Sequence, residues 1–408
     1  MPWQERNKVT ERMQFITRYL DGEGISQLSR EFGISRQTGH TLVKRFELFG
    51  PEALKNRSSQ PHRSPNRTPR AKVEGILKLR NKYPTWGPKK LKERLHRVQP
   101  DIRWPAASTI GVILAHEGLV KQRKRRRRAS PTPTRRRETE APNQLWCMDY
   151  KGHFRTQNKH YCYPFTLTDH FSRYILACEA LENTQRAGAE MTLWSVFAKE
   201  GIPEAIRSDN GSPFASSGRL GLSRLSVQLM RLGVEIERIE PGHPEQNGRH
   251  ERMHLTLKEE TTRPAAQNCL AQQEKFDGFC QVFNHKRPHE ALGMKTPAEL
   301  YQSSIKELPE ELPKLSYPLH DTTKWIAESG HFNIPGGGKA YLGSAFAGQP
   351  IGLREKATGT WLVSFMDIDI GYLDTESKTI IDIEDNSNQG SKVHSLSTAW
   401  SFLLTRPA

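Results

Sequence analysis

Cysteine is scarce in this chain of 408 residues, and the five present (Cys147, Cys162, Cys178, Cys269 and Cys280) are odd in number, scattered, and never spaced C-x-x-C. That pattern excludes a disulfide framework and a structural zinc ribbon, and it fits a reducing cytosol. Long apolar runs are missing as well. No stretch approaches the roughly 18 residues a membrane-spanning helix needs. The opening stretch "MPWQERNKVTERMQ" has no apolar core, so no signal peptide is expected. Negative charge is also in deficit: 45 acidic side chains face 61 Lys and Arg, a formal charge of +16. So large an excess favours a polyanionic partner. The basic residues are not gathered on one amphipathic helix, which makes a membrane surface the weaker choice and nucleic acid the stronger.

The length predicts several domains. Residues 1–54 read as short helices. Val9, Met13, Ile16 and Leu20 form a first stripe. Leu28 and Phe32 mark a second helix, Gly33 a turn, and Ser35 the cap of a third helix with Leu42, Val43 and Phe46 turned inward. Arg36, Gln37, Thr38, His40, Thr41 and Lys44 are left for an outer face, as in a helix-turn-helix whose second helix enters a major groove. A Pro/Ser/Arg-rich linker covers 55–70. Residues 71–120 resume helical spacing and resemble a second, winged helix-turn-helix. The segment 121–140, "KQRKRRRRASPTPTRRRETE", is too densely charged to fold alone. It reads as a tether whose Arg125, Arg126 and Arg127 track phosphates.

After Pro142 the texture becomes β-branched and aromatic. Runs at 145–154, 161–171 and 173–181 read as a meander. A helix, a short strand "AIRSDNG", a helix, a strand "VEIERI" and a last helix follow. This β-β-β-α-β-α-β-α order predicts a ribonuclease-H-like α/β core over 141–301. Trp146, Tyr150 and Phe165 are expected in its interior. Three acids fall at telling places. Asp149 lies in the first strand, Asp209 at the carboxyl end of the fourth, and Glu251 early on the last helix, with separations of 60 and 42 residues. On that frame they meet at one edge of the sheet. Carboxylates without a cysteine or histidine cluster suit Mg²⁺ or Mn²⁺. Two such ions could hold the entering and leaving oxygens of a phosphoryl transfer.

"WCMDYKG", "RSDNGSPF" and "HPEQNGRHERMHLTLK" resemble the three blocks of the integrase core shared by retroviral integrases and bacterial insertion-sequence transposases, the DDE transposases. Lys258, seven residues after Glu251, matches the last block. It lies about two turns (roughly 10 Å) along the same face, placed to meet a DNA phosphate. "LTDHFSRYI", with Asp169, Ser172 and Arg173, is similar to the family's second strand, and residues 283–301 to the segment closing such cores. The resemblance covers about 8–301. It implies a bacterial, nucleoid-associated cytoplasmic enzyme that binds an element's terminal inverted repeats. Such an enzyme hydrolyses the phosphodiester at the element ends and joins the 3′-hydroxyl to target DNA. It also implies two Mg²⁺ (or Mn²⁺) on Asp149, Asp209 and Glu251, and at least a dimer on double-stranded DNA. After a linker at 302–322, alternating short strands over 323–385 predict a small SH3-like barrel that contacts DNA or another subunit. The expected fold class is therefore multidomain α+β.

Two other classes compete. His250-Glu251-x-x-His254 has the spacing of a zinc peptidase, two imidazoles one turn apart with a glutamate base. That reading leaves Asp149, Asp209 and the positive charge without a role, so His254 is expected to face DNA or solvent. A transposase-derived repressor without catalysis would have no use for the Asp/Asp/Glu set. His170-x-x-Arg173 hints at a tyrosine recombinase, but no late tyrosine among arginines supports it.

Overall fold

Residues 8–55, 67–120, 137–216, 218–240 and 244–383 are described by the computed structural model. The chain forms two compact units divided at residue 68.

The first unit contains α1 (Lys8–Leu20), α2 (Ile25–Glu31) and α3 (Arg36–Phe49). Ser35 caps α3 as expected, its hydroxyl accepting from the Thr38 amide at 3.1 Å. The core is Phe15, Ile16, Leu28, Leu42, Val43 and Leu54. The predicted α1 stripe is corrected: Met13 and Leu20 are exposed, while Phe15 and Ile16 are buried. Phe15 wins the inward position because its ring meets Phe32 edge-on, centroids 5.5 Å apart. Gly39 lets α2 and α3 cross closely, since a Cβ there would lie 2.7 Å from Ser29 Oγ and 3.1 Å from Phe15 Cζ.

In the second unit α4 (Arg70–Lys82), α5 (Pro88–Val98) and α6 (Ala107–His116) enclose Ile76, Trp86, Leu91, Leu95, Ile110 and Leu114. The winged form is corrected: residues 67–120 contain no strand. The segment joining α5 to α6 is short and holds Pro100 and Pro105, leaving no room for a paired wing. This helical group is fastened to the core rather than free. Arg97 pairs with Glu299 at 2.8 Å, Lys89 with Glu290 at 2.8 Å, and the Thr85 hydroxyl bonds Glu260.

The core follows the expected order. Its strands are β1 (Trp146–Tyr150), a two-residue β2 (Phe154–Arg155), β3 (Tyr161–Asp169), β4 (Ile175–Leu181), β5 (Ala205–Ser208) and β6 (Glu235–Arg238). Both β2 and β4 pair with β3, and the sheet continues through β1, β5 and β6. β1 is antiparallel to β3 and parallel to β5. Period-two alternation divides the side chains between the faces. Trp146, Met148, Phe165 and Leu167 pack with α7 (Arg186–Glu200) and α8 (Arg224–Arg231). Cys162, Ile175 and Cys178 pack on the other side with α9 (Gly248–Thr261) and α10 (Cys269–His285). Asp149 is opposite Thr166 in the β1–β3 ladder, so both side chains point to the α9 face. Residues 302–308 lie along the core, with the Ile202 amide donating to Lys306 O at 2.7 Å and Leu308 packed on the interior.

The strand pairing of the carboxyl-terminal part does not close into the expected barrel. β7 (Thr322–Trp325), β10 (Pro350–Ala357), β11 (Thr360–Phe365), β12 (Ile368–Asp374) and β13 (Thr379–Asp382) form an open antiparallel sheet in the order β13-β12-β11-β10-β7. β8 (His331–Asn333) and β9 (Lys339–Tyr341) form a separate hairpin. Closure is not needed to bury the apolar face: the hairpin's Phe332, Ala340 and Leu342 cover it, joined by Leu222, Val227 and Met230 from the core. Leu220 and Leu222, in the long stretch between Asp209 and α8, therefore serve to seat this carboxyl-terminal sheet.

Candidate active site

β1 carries Asp149 toward α9, and the parallel neighbour β5 ends one residue before Asp209. Asp209 is held by an Asx turn in which the Gly211 amide donates to its Oδ1 at 3.1 Å. Asn210 ties the same loop to Ile239 O at 2.7 Å. Glu251 lies in the first turn of α9, where the helix dipole favours a carboxylate. Burial, then the charge of Asp209 and, less strongly, that of Glu251 raise the Asp149 carboxyl to about 7, outweighing the Tyr150 amide and Lys151. Asp209 and Glu251 are thus both near enough to act on Asp149. Glu251 and Lys258 are both exposed on the outer face of α9.

Under Asp149 lies a polar network absent from the sequence expectation. His254 was expected at the surface; it is 4% exposed and packed over β3. His250 is buried beside it, the rings 4.6 Å apart. Thr166 Oγ1 lies 2.7 Å from Nε2 of each histidine and 3.1 Å from Asp149 O, and Thr168 Oγ1 lies 2.7 Å from His250 Nδ1. A hydroxyl has one proton and two lone pairs. The carbonyl of Asp149 can only accept, so it takes the Thr166 proton, and both Nε2–H groups donate to Thr166. Burial pushes His250 down to about 3; burial, then His250 and Lys151, push His254 well below the usual histidine value, so both rings are neutral. Thr168 then donates to His250 Nδ1. Both nitrogens of His250 are consumed, which removes the pair of free imidazoles that a zinc peptidase requires. A sequence signal for this burial existed: His250, Met253, His254, Leu257 and Thr261 repeat at helical spacing.

Arg207 is a second residue the sequence did not single out. It is 2% exposed, pairs with Glu237 on β6 at 2.7 Å and reaches Gln246 O at 3.2 Å. It thereby ties the strand of Asp209 to the turn that starts the helix of Glu251. Asp169 is structural, accepting from the Asn143 amide (2.8 Å) and from the Ser172 amide and hydroxyl (2.7 and 2.6 Å). Asn247 is at the N-cap of α9 but makes no side-chain capping bond. Arg287 fastens α10 through Glu260 at 2.7 Å, and Trp146 and Phe165 are fully buried as expected. In the first unit Arg36, Gln37, Thr38, Thr41 and Lys44 are all exposed along α3. Arg125, Arg126 and Arg127 lie outside the described residues.

Residues 139–244 and 232–297 each match the Integrase core domain family. Residues 11–62 match a Helix-turn-helix domain and 38–114 a Homeodomain-like domain. The chain is 30% identical over 173 residues to an insertion element IS136 uncharacterized protein of Agrobacterium tumefaciens (strain T37), covering 40% of this chain and 84% of the relative. It is 26% identical over 198 residues to the Gag-Pol polyprotein of Baboon endogenous virus (strain M7), covering 48% of this chain. It spans only 11–12% of the length of the retroviral polyproteins it matches. Among solved structures, the HTLV-2 integrase catalytic core domain in complex with magnesium aligns at TM-score 0.32 and 15% identity, over 39% of this chain and 97% of that one. Among the described residues no helix is long and apolar enough to cross a membrane.

Proposed function

The chain belongs to the DDE insertion-sequence transposases with an integrase-like core, and from that membership we propose that it cuts DNA at the ends of its element and joins the freed 3′ ends to target DNA. The observation that carries this reading is the half-buried Asp149 carboxyl, raised by burial and then by the charges of Asp209 and, less strongly, Glu251. Asp149 with two further carboxylates close enough to act on it fits a pair of hard divalent cations, Mg²⁺ or Mn²⁺. Such ions, when bound, supply Lewis acidity at the attacking and departing oxygens of an in-line displacement.

The chain's own groups do the remainder. Asp149, Asp209 and Glu251 would hold the metals. Lys258, exposed on the helix of Glu251, would bind a strand phosphate. Exposed Arg36, Gln37, Thr38, Thr41 and Lys44 on α3 would enter the major groove of the terminal repeat, with the second helical group adding contacts. The domain limits expected from sequence remain our division of labour, with 141–301 as the catalytic portion. Pairing two element ends calls for at least a dimer on DNA, inside a bacterial cytoplasm and close to the nucleoid.

Incubation of the full chain with labelled element-end DNA and Mg²⁺ tests this. Scission at the element boundary, absent in Asp149→Asn, is the expected result. Binding without scission in either Mg²⁺ or Mn²⁺ would favour the repressor instead.

A further inference from the structure

The hydrogen-bond accounting around Thr166 leaves one atom without a proton and without an assigned bond. His254 donates through Nε2, so its Nδ1 presents a lone pair, and Nδ1 faces Asp149 Oδ2 at 3.8 Å. At that distance no hydrogen bond joins them. Two electron-rich atoms face each other in a wall that is otherwise closed: His254 is 4% exposed and Asp149 half-buried. Each donor of one ion lies about 2.1 Å from it, so a pair of donors can be up to roughly 4 Å apart. Donor atoms of Asp149, His250 and His254 lie within 4.8 Å of one another, and His250 drops out because Thr166 and Thr168 occupy both of its nitrogens.

We propose that His254 Nδ1 is a nitrogen ligand to the cation held by Asp149, so that this centre is a mixed nitrogen–oxygen site and discriminates for Mn²⁺ over Mg²⁺. The inference rests on the metal-dependent transposase reading and goes beyond it, since that reading needs carboxylates alone. The ring is locked for the task. Thr166 fixes both its tautomer and its rotation, and Thr166 is itself fixed by its place opposite Asp149 in the ladder. Such outer partners commonly set a ligating histidine's orientation. Mg²⁺ takes oxygen and sheds water reluctantly, while imidazole suits the transition metals, so a built-in nitrogen shifts the preference toward Mn²⁺.

The test is pulsed EPR of Mn²⁺ added to the full-length protein, which reads nitrogen coupling directly and needs no turnover. The expected spectrum shows a histidine nitrogen coupled to a bound Mn²⁺ that disappears in Asp149→Asn. Labelling histidine with ¹⁵N should convert the ¹⁴N pattern in the unmutated protein, which keeps the test valid if a histidine variant fails to fold. In His254→Gln the coupling is lost, and Mn²⁺ affinity falls about tenfold while Mg²⁺ affinity changes less than about threefold. Asp149-dependent Mn²⁺ with oxygen couplings only overturns the nitrogen ligand and leaves the transposase reading standing. A coupling that survives in His254→Gln overturns the assignment to His254. Absence of any Asp149-dependent Mn²⁺ overturns the metal-site reading beneath it.

Discussion

Arg207 is buried against Glu237, Nη2 to Oε1 at 2.7 Å, and the same guanidinium reaches Gln246 O just before α9. This pair joins β5, β6 and the approach to the third acid, so its loss should be felt at the active centre. Arg207→Ala leaves Glu237 without its partner and is expected to cost on the order of 2–3 kcal/mol, less than a fully buried pair because Glu237 is partly exposed. Thermal unfolding measures that. End cleavage should fall more than the folded fraction, because Asp209 and Glu251 lose their common brace. Wild-type melting in Arg207→Ala would contradict this.

Asp149 makes a prediction of opposite sign. Its folded pKa of about 7 is above its unfolded value, so the folded state holds the extra proton between about pH 4 and pH 7. Stability of the metal-free protein should therefore decline as pH rises through that window. At pH 8, Asp149→Asn should unfold at a higher temperature than the wild type, by an amount on the order of 1–3 kcal/mol, while cleavage is abolished. Equal melting of the two proteins in chelator at pH 8 would refute the burial and neighbouring charge that raise Asp149.

Gly211 tests the placement of Asp209. A Cβ at this position would lie 3.1 Å from Asp209 Oδ2, tighter than an ordinary contact. The residue is exposed, so Gly211→Ala should leave the melting temperature nearly unchanged. Cleavage should drop by about tenfold as the carboxylate is pushed aside. Full activity in this variant would show that the Asx turn does not set the acid's position.

Lys44 tests the first unit. Its ammonium is exposed on α3 and Lys44→Ala disturbs none of the core residues. Affinity for end DNA should weaken, and the slope of log K against log salt should fall by about 0.9 if one phosphate contact is lost. An unchanged slope in a titration from low to moderate salt would remove Lys44 from the interface.

Much of this was legible in the chain itself. The core strands and helices arise where periodicity places them, because alternation and helical spacing are local signals. Ser35 stands where a cap is needed, and Asp209 beside the Asn-Gly turn that holds it. Less legible was α1, where Met13 and Phe15 both satisfy a helical stripe and only the partner Phe32 chooses between them. The carboxyl-terminal strands were also legible, but not what covers their apolar face, since beside the β8–β9 hairpin the cover includes Val227 and Met230 of α8, more than ninety residues before the first of them.

The sequence by itself determined the order of elements and the basic character, since these reside in composition and short-range spacing, and it supplied the three candidate acids. Only the tertiary structure decided what His254 does. A helix pattern can turn a histidine inward, yet whether it becomes a surface group, a zinc ligand or Asp149's neighbour depends on Thr166 being set directly across a ladder from that acid. That register is a long-range fact, and the proton on one threonine hydroxyl follows from it.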